Sequence, residues 1–427
     1  MLDIQFIRDN PDKVKNAAKN KGLNSNVVDE VLRFDQQRRD LITQVEQIRA
    51  ERNLINNKLK QSQVEELKQK SVELKQKLQD LEPQLRETEK SFNDLMLQVP
   101  NVPADGVPVG KDESGNKKIR EDGQKPKFDF KPKDHIQLGL DLDILDLDRG
   151  SKVAGYRGYF LKNQAVQMHF GVMRYALDKI VSKGFTPIVP PIVNKREAFI
   201  NSGLFPWGET EAYKTFDNQE ESDLKFLAGT SEVPLVSYHA GELFNEKDLP
   251  ILYAGYSPCY RREIGSYGRD TRGIYRIHEF LKIEQVVLCK NDMEESIKWH
   301  EKLAQYAEEI LQELGLHYRV MLMCTGDMGE PQIKKYDIET WMPGRGEYGE
   351  TMSDSIMGEF QSRRANIKYR TKDNNQFVHT LNNTALASPR ILIALWETYQ
   401  QKDGSITIPP ILRPYVGFDS IKSKNGK

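Results

Sequence analysis

The side chains best equipped for chemistry gather in residues 253–284, where Arg261, Arg262 and Glu263 close an aromatic-rich run and Arg276, His278, Phe280, Lys282 and Glu284 recur at every second position. Guanidinium groups such as Arg261 and Arg276 present forked donors that match phosphate oxygens and do not lose their charge. Phe280 offers a flat face on which a base can stack. Glu263 and Glu284 would repel phosphate, so they suit an adenine amine or a substrate ammonium. Together the set fits a nucleoside triphosphate and an amino compound. It fits equally an exposed strand whose Arg and Glu form cross-strand ion pairs.

To hold these groups, two apolar, aromatic segments must flank the loop containing Gly265, Gly268 and Gly273, which predicts a long β-hairpin with a mobile tip. Alternation then sends Arg276, His278, Phe280, Lys282 and Glu284 to one face of the second strand. The step Tyr260-Arg261-Arg262-Glu263, a variable loop, then Arg276, Phe280 and Glu284 resembles motif 2 of the class II aminoacyl-tRNA synthetases. In the wording of the whole chain, the sequence is similar to the bacterial seryl-tRNA synthetases, with the motifs in the expected order.

Further motifs lie on either side. Residues 163–183 read as an amphipathic helix ending at Gly184, and the proline-rich 185–193 suits an edge or interface strand. This pair resembles motif 1, which implies a homodimer. Residues 225–232 read as a strand meeting a helix start, with Thr230 as N-cap and Glu232 in the first turn, which capping and the helix dipole explain unaided. The resemblance implies instead that Thr230, Ser231 and Glu232 line a serine pocket. In 350–355 a carboxylate three residues from a hydroxyl, Glu350 and Ser353, can share one hard cation with phosphate, although a strand-to-turn connection would look the same. Residues 380–390 resemble motif 3, with Asn383, Ala385 and Ala387 where the general pattern has glycines and Arg390 retained at a helix entrance. Asp403-Gly404 reads as the turn of a short hairpin, and the Lys-rich tail reads as disordered.

The N-terminal part is built differently. Asn10-Pro11 starts a short helix to about Asn20. Val31, Phe34, Arg38, Leu41, Val45, Ile48, Arg52, Ile55 and Leu59 form one seam at three-four spacing. A second runs through Leu67, Ser71, Leu74, Leu78, Leu81, Leu85, Thr88, Phe92 and Leu95. The break at 61–63 folds them into an antiparallel coiled-coil arm, with Pro83 kinking the second helix near Leu78 to Leu81. Periodicity alone allows a dimerisation rod or a spacer; the resemblance implies an arm that grips tRNA. We expect residues 1–100 to be this helical domain, 101–127 a proline- and glycine-rich linker, and 128–427 the catalytic domain.

Composition sets bounds. Over 427 residues the net charge is −1, so RNA binding must come from local patches and not from a global basic field. No apolar run is long enough to span a membrane, and no signal-like segment opens the chain, which predicts a cytoplasmic protein. Cys259, Cys289 and Cys324 are isolated, as are the histidines, so no zinc is expected.

The resemblance implies an α+β fold, the antiparallel class II sheet flanked by helices. It implies activation of serine by ATP to seryl-adenylate, then transfer to the 3′ end of tRNA(Ser), with tRNA(Sec) left open as a second acceptor. Arg261, Arg276, Glu350 and Arg390 would carry catalysis. Thr230, Ser231, Glu232, Arg261, Glu284, Asn382 and Thr384 would bind serine. ATP would meet Arg261, Arg262, Glu263, Arg276, Phe280, Glu350, Thr351, Met352, Ser353 and Arg390, with Glu350 and Ser353 holding Mg2+. Two other classes fit parts of the chain: a ligase that loads a carrier protein, and a catalytically silent coiled-coil interaction protein.

Overall fold

The computed structural model describes residues 1–60, 64–215, 224–264 and 272–422. The expected break at 61–63, the hairpin tip with Gly265 and Gly268, and the last five residues of the tail lie outside the described residues. The chain divides into two compact units, Met1–Val102 and Pro103–Lys427.

In the first unit, helices α1 (Ile4–Asp9) and α2 (Pro11–Asn20) precede two long helices, α3 (Asn26–Leu59) and α4 (Glu65–Met96). The last two run antiparallel: Arg38 lies over the Phe92 ring at 4.4 Å, Arg49 pairs with Glu82 at 2.8 Å, and Ser71 bonds Asn56 at 2.8 Å. Their seam is the one spaced out in the sequence, with Val31, Val45, Ile55, Leu74, Leu78 and Phe92 buried. Helix α4 continues through Pro83, so the proline costs a backbone bond without ending the helix. At the base, Asp35 is buried and accepts two bonds from Arg8, at 2.7 and 2.8 Å.

The second unit is built on an eight-stranded sheet. Its strands are β1 (Lys117–Asp122), β2 (Thr186–Ile188), β3 (Ile251–Tyr260), β4 (Glu279–Cys289), β5 (Tyr318–Leu322), β6 (Lys334–Met342), β7 (Glu347–Gly358) and β8 (His379–Ser388). The order across the sheet is β1-β5-β6-β7-β8-β4-β3-β2, antiparallel except at the edge pair of β2 with β3. Strand β1 falls inside the stretch read as a linker, and the proline-bearing β2 takes an edge, where an absent N–H costs no ladder bond. Helices α5 (Gln164–Ser182) and α7 (Met293–Glu313) pack on the central strands. Ile283, Val287, Leu381 and Ile356 point into that apolar layer. The alternate residues of the same strands are free to build the opposite face.

Two sequence expectations shift. Strands β3 and β4 are the expected hairpin, paired from Ile251 with Leu288 to Tyr260 with Glu279, but β4 starts only at Glu279. Arg276 and His278 therefore approach on the loop, because Arg261's backbone N–H bonds the His278 carbonyl beyond the last ladder pair. Ile406 pairs with Ile421 in a two-residue ladder, while Asp403-Gly404 closes only a tight turn with a single bridge between Gln400 and Ile406.

Candidate active site

A cavity of about 550 Å3 opens on the face of the sheet away from α5 and α7. Phe280, Lys282 and Glu284 of β4 face it, with Asn382 and Thr384 of β8 and Ser353 and Ser355 of β7. Glu350 shares that wall although it is three residues from Ser353, a spacing that in a regular strand points to opposite faces. A β-bulge makes the difference: Met352 pairs with Ile338 and Glu350 with Glu339, leaving Thr351 as the surplus residue. Its hydroxyl is buried against Thr340 Oγ1 at 2.8 Å. A second bulge, between Thr384 and Leu386, resets β8 in the same way before Arg390.

One end of the cavity is acidic. Helix α6 (Glu232–Ser237) starts over β3, and a Cβ at Gly255 would come within 2.6 Å of Ser231 Cβ, so glycine is what lets the helix start lie there. Glu232 is only 7% exposed, and its Oε1 accepts from Gln361 Nε2 at 2.6 Å and Asn382 Nδ2 at 2.9 Å. Burial, reinforced by the nearby Glu284, pushes its carboxyl up to about 7. Glu284, 2% exposed, accepts from Thr384 Oγ1 at 3.2 Å and lies 2.5 Å from Lys282 Nζ. That ammonium also donates to Thr230 Oγ1 at 2.8 Å. Thr230 Oγ1 accepts from the Glu232 backbone N–H at 3.2 Å, but the N-cap itself is Ser231, one residue later than the sequence suggests, and Thr230 faces the cavity.

The other end is rich in guanidinium groups. Arg261 donates to the Gly229 carbonyl at 3.2 Å and lies 5.2 Å from the Phe280 ring centre. Glu263, in the left-handed region at φ 55°, accepts from Arg276 at 2.9 Å. Burial would raise its carboxyl, but Arg276 and Arg261 hold it below the usual range. Arg390 lies over the Tyr275 ring at 4.4 Å and donates to the Tyr275 and Glu350 carbonyls, each at 2.9 Å. Glu350's carboxylate, 3.4 Å from Arg390, is kept ionised against the pull of burial by Arg390, Lys335 and Arg261. Just behind it Lys335 pairs with Asp337 at 3.0 Å.

Fourteen of the sixteen residues expected to bind or react line this one cavity. Two do not. Arg262 turns outward to the Thr210 carbonyl at 3.1 Å, and Ser231 lies beneath the floor with its hydroxyl 2.7 Å from that of Ser257. Sequence reasoning assigned no role to Lys282, Gln361, Tyr275 or Lys335. Lys282 was legible, since it alternates with Phe280 and Glu284; Gln361 reaches Glu232 from a separate helix, Phe360–Ala365, and carries no local signal. Among the described residues no three His, Cys, Asp or Glu side chains gather as metal ligands. A hard cation here would therefore rest on one carboxylate, one hydroxyl and oxygens of its substrate, which is how magnesium is commonly held.

Residues 1–103 match the model of the seryl-tRNA synthetase N-terminal domain, and residues 213–399 that of the class II tRNA synthetase core domain (G, H, P, S and T). The chain is 44% identical over 421 residues to a serine--tRNA ligase of Deinococcus radiodurans, covering 98% of each. It is 41% identical to that of Treponema denticola, across 99% of this chain and all of the relative. Among solved structures, the seryl-tRNA synthetase of Pyrococcus horikoshii complexed with ATP superposes with a TM-score of 0.92 at 38% identity, over 99% of this chain and 100% of that one. The cytoplasmic serine-tRNA ligase of Naegleria fowleri in complex with AMP gives 0.89 at 32%, over 100% and 99%.

Proposed function

Since this chain belongs to the seryl-tRNA synthetase family and is a class II serine--tRNA ligase, we propose how its own residues divide the work of activating serine and charging tRNA. The carrying observation is a single cavity with buried carboxylates at one end and guanidinium groups around Phe280 at the other. The acidic end takes the amino acid: Glu232 and Glu284, with Thr230, Asn382 and Thr384, bind the serine ammonium and hydroxyl. Phe280 and Arg390 sandwich the adenine, and Glu263 accepts from its amine. Arg261 holds the α-phosphate and the serine carboxylate, and Arg276 takes the outer phosphates once its bond to Glu263 is exchanged. A serine carboxylate oxygen then attacks the α-phosphorus, the bond to the bridging oxygen breaks, and pyrophosphate leaves with both electrons. In the second step the terminal ribose hydroxyl of tRNA attacks the acyl carbon and AMP departs.

No general base is needed for the first step, which rests on positioning and charge neutralisation. Glu350 and Ser353 fit magnesium, which when bound would neutralise phosphate charge. The α3–α4 hairpin grips tRNA(Ser), the chain works as a homodimer through the region around β2 in the cytoplasm, and residues 1–100 and 128–427 act as the tRNA-binding and catalytic domains.

The test is serine-dependent exchange of labelled pyrophosphate into ATP without tRNA, with alanine, threonine and cysteine alongside. Exchange with serine alone supports the assignment. A pocket that hydrogen-bonds the hydroxyl should reject alanine by at least about a thousandfold, whereas threonine is excluded only by room for one methyl. Exchange with alanine as fast as with serine would refute the serine-binding roles.

A further inference from the structure

Behind the wall that carries Glu350 and Ser353 lies a buried carboxylate with no role in the reaction described above. Asp337, on β6, is 5% exposed and is the direct cross-strand partner of Ser353 on β7. Its Oδ2 pairs with Lys335 Nζ at 3.0 Å. Its Oδ1 is buried and has no hydrogen-bond partner. A buried carboxylate oxygen left so is costly, and a donor supplied in the working state would satisfy it. A rotatable donor stands directly opposite on the neighbouring strand, the Ser353 hydroxyl, which already interacts with this carboxylate and whose proton can swing to either side while its lone pairs point the other way.

We propose that Asp337 is a positioning residue for the divalent cation: Oδ1 accepts the Ser353 hydroxyl proton and thereby turns that oxygen's lone pairs into the cavity toward the metal. This rests on the magnesium reading of Glu350 and Ser353. Lys335 completes the device, since its ammonium holds Oδ2 and leaves Oδ1 aimed across the ladder. The surplus Thr351 brings Glu350 onto the same wall, so one hydroxyl and one carboxylate meet the ion from a single strand, with Asp337 behind the hydroxyl. Support of a ligand by an outer hydrogen-bonding group of this kind typically matters by about 10- to 100-fold in metal affinity.

The experiment uses Mn2+ as the probe, with its retention in the enzyme–ATP complex read by electron paramagnetic resonance for wild type, Asp337→Asn, Ser353→Ala, the double variant and Glu350→Gln. Asp337→Asn should weaken retention by about tenfold and raise the Mg2+ needed for half-maximal pyrophosphate exchange by the same factor. Exchange at saturating Mg2+ should return close to wild type. The double variant should lose no more than Ser353→Ala alone, because both act through one hydroxyl. Wild-type retention in Asp337→Asn, or losses that add in full, overturns the proposal. If Glu350→Gln also retains Mn2+ as wild type does, the magnesium reading itself falls. Should Asp337→Asn not fold, a crystal structure of the wild-type enzyme with ATP and Mn2+ decides. Ser353 Oγ bonded both to the metal and to Asp337 Oδ1 supports the inference, and an Oδ1 bonded to another donor refutes it.

Discussion

Glu232 is the residue whose chemistry is most exposed to solution conditions. Its folded carboxyl, pushed up to about 7, lies above the ordinary value of roughly 4.3. The native state by itself therefore binds this proton more tightly than the unfolded chain does. The stabilising contribution is complete below about pH 4 and is lost as pH rises through 7. Binding runs the other way, since a substrate ammonium favours the ionised carboxylate and expels the proton. Serine affinity should accordingly improve by up to about tenfold per unit between pH 6 and 7 and level off above, as read from KM in pyrophosphate exchange. Glu232→Gln should flatten that slope. Glu284→Ala removes the partner of the buried Lys282 and a receptor for the ammonium, and should lower serine activation by at least about a hundredfold. Normal serine turnover by that variant would remove Glu284 from the pocket.

Elements decide which of these residues meet. The hairpin, the motif 3 strand leading into its helix and the coiled-coil seam were legible, because each carries a period or a terminator in its own residues. The wall of β7 was only half legible. Alternation assigns Glu350 and Ser353 to opposite faces, and nothing in the sequence marks Thr351 as surplus, since a bulge is fixed by the pairing of two strands and not by one. Gln361 and Tyr275 were illegible for a similar reason: their partners, Glu232 and Arg390, lie 129 and 115 residues away. In the arm, the same long-range logic places Asp35 under Arg8. Burial works against this carboxylate, but Arg8, with Arg39 and Arg38, holds it below the usual range. Its contribution is present above about pH 4 and fades as acid protonates it. Asp35→Ala should lower the stability of the N-terminal unit by about 2 kcal/mol, seen as an earlier thermal transition at pH 7. The two transitions should draw together below pH 3.

On the proposed role of the arm, the division into two units separates the hold on tRNA from the activation of serine. Every residue that lines the cavity belongs to the second unit. Replacing residues 50–81 by a Gly-Ser turn, which joins α3 to α4 just beyond their Arg49–Glu82 pair, should leave serine-dependent pyrophosphate exchange within about twofold of wild type. Charging of tRNA should fall by at least about a hundredfold, the scale on which a lost second contact acts in a two-point binder. Equal charging by the shortened enzyme would return the arm to a spacer.

The pocket already contains a cation, the Lys282 ammonium shared between Glu284 and Thr230. Serine enters as a zwitterion, its ammonium joining Lys282 among the carboxylates and its own carboxylate coming with it, so apart from the Glu232 proton the charge balance of the chamber scarcely changes. Binding of that kind is nearly blind to salt, whereas a grip on polyphosphate releases counterions. Raising the salt from about 50 to about 500 mM should move the KM for serine by less than about twofold and cut tRNA charging by more than about tenfold. The enzyme would then still recognise its amino acid under ionic conditions in which it could no longer hold its tRNA.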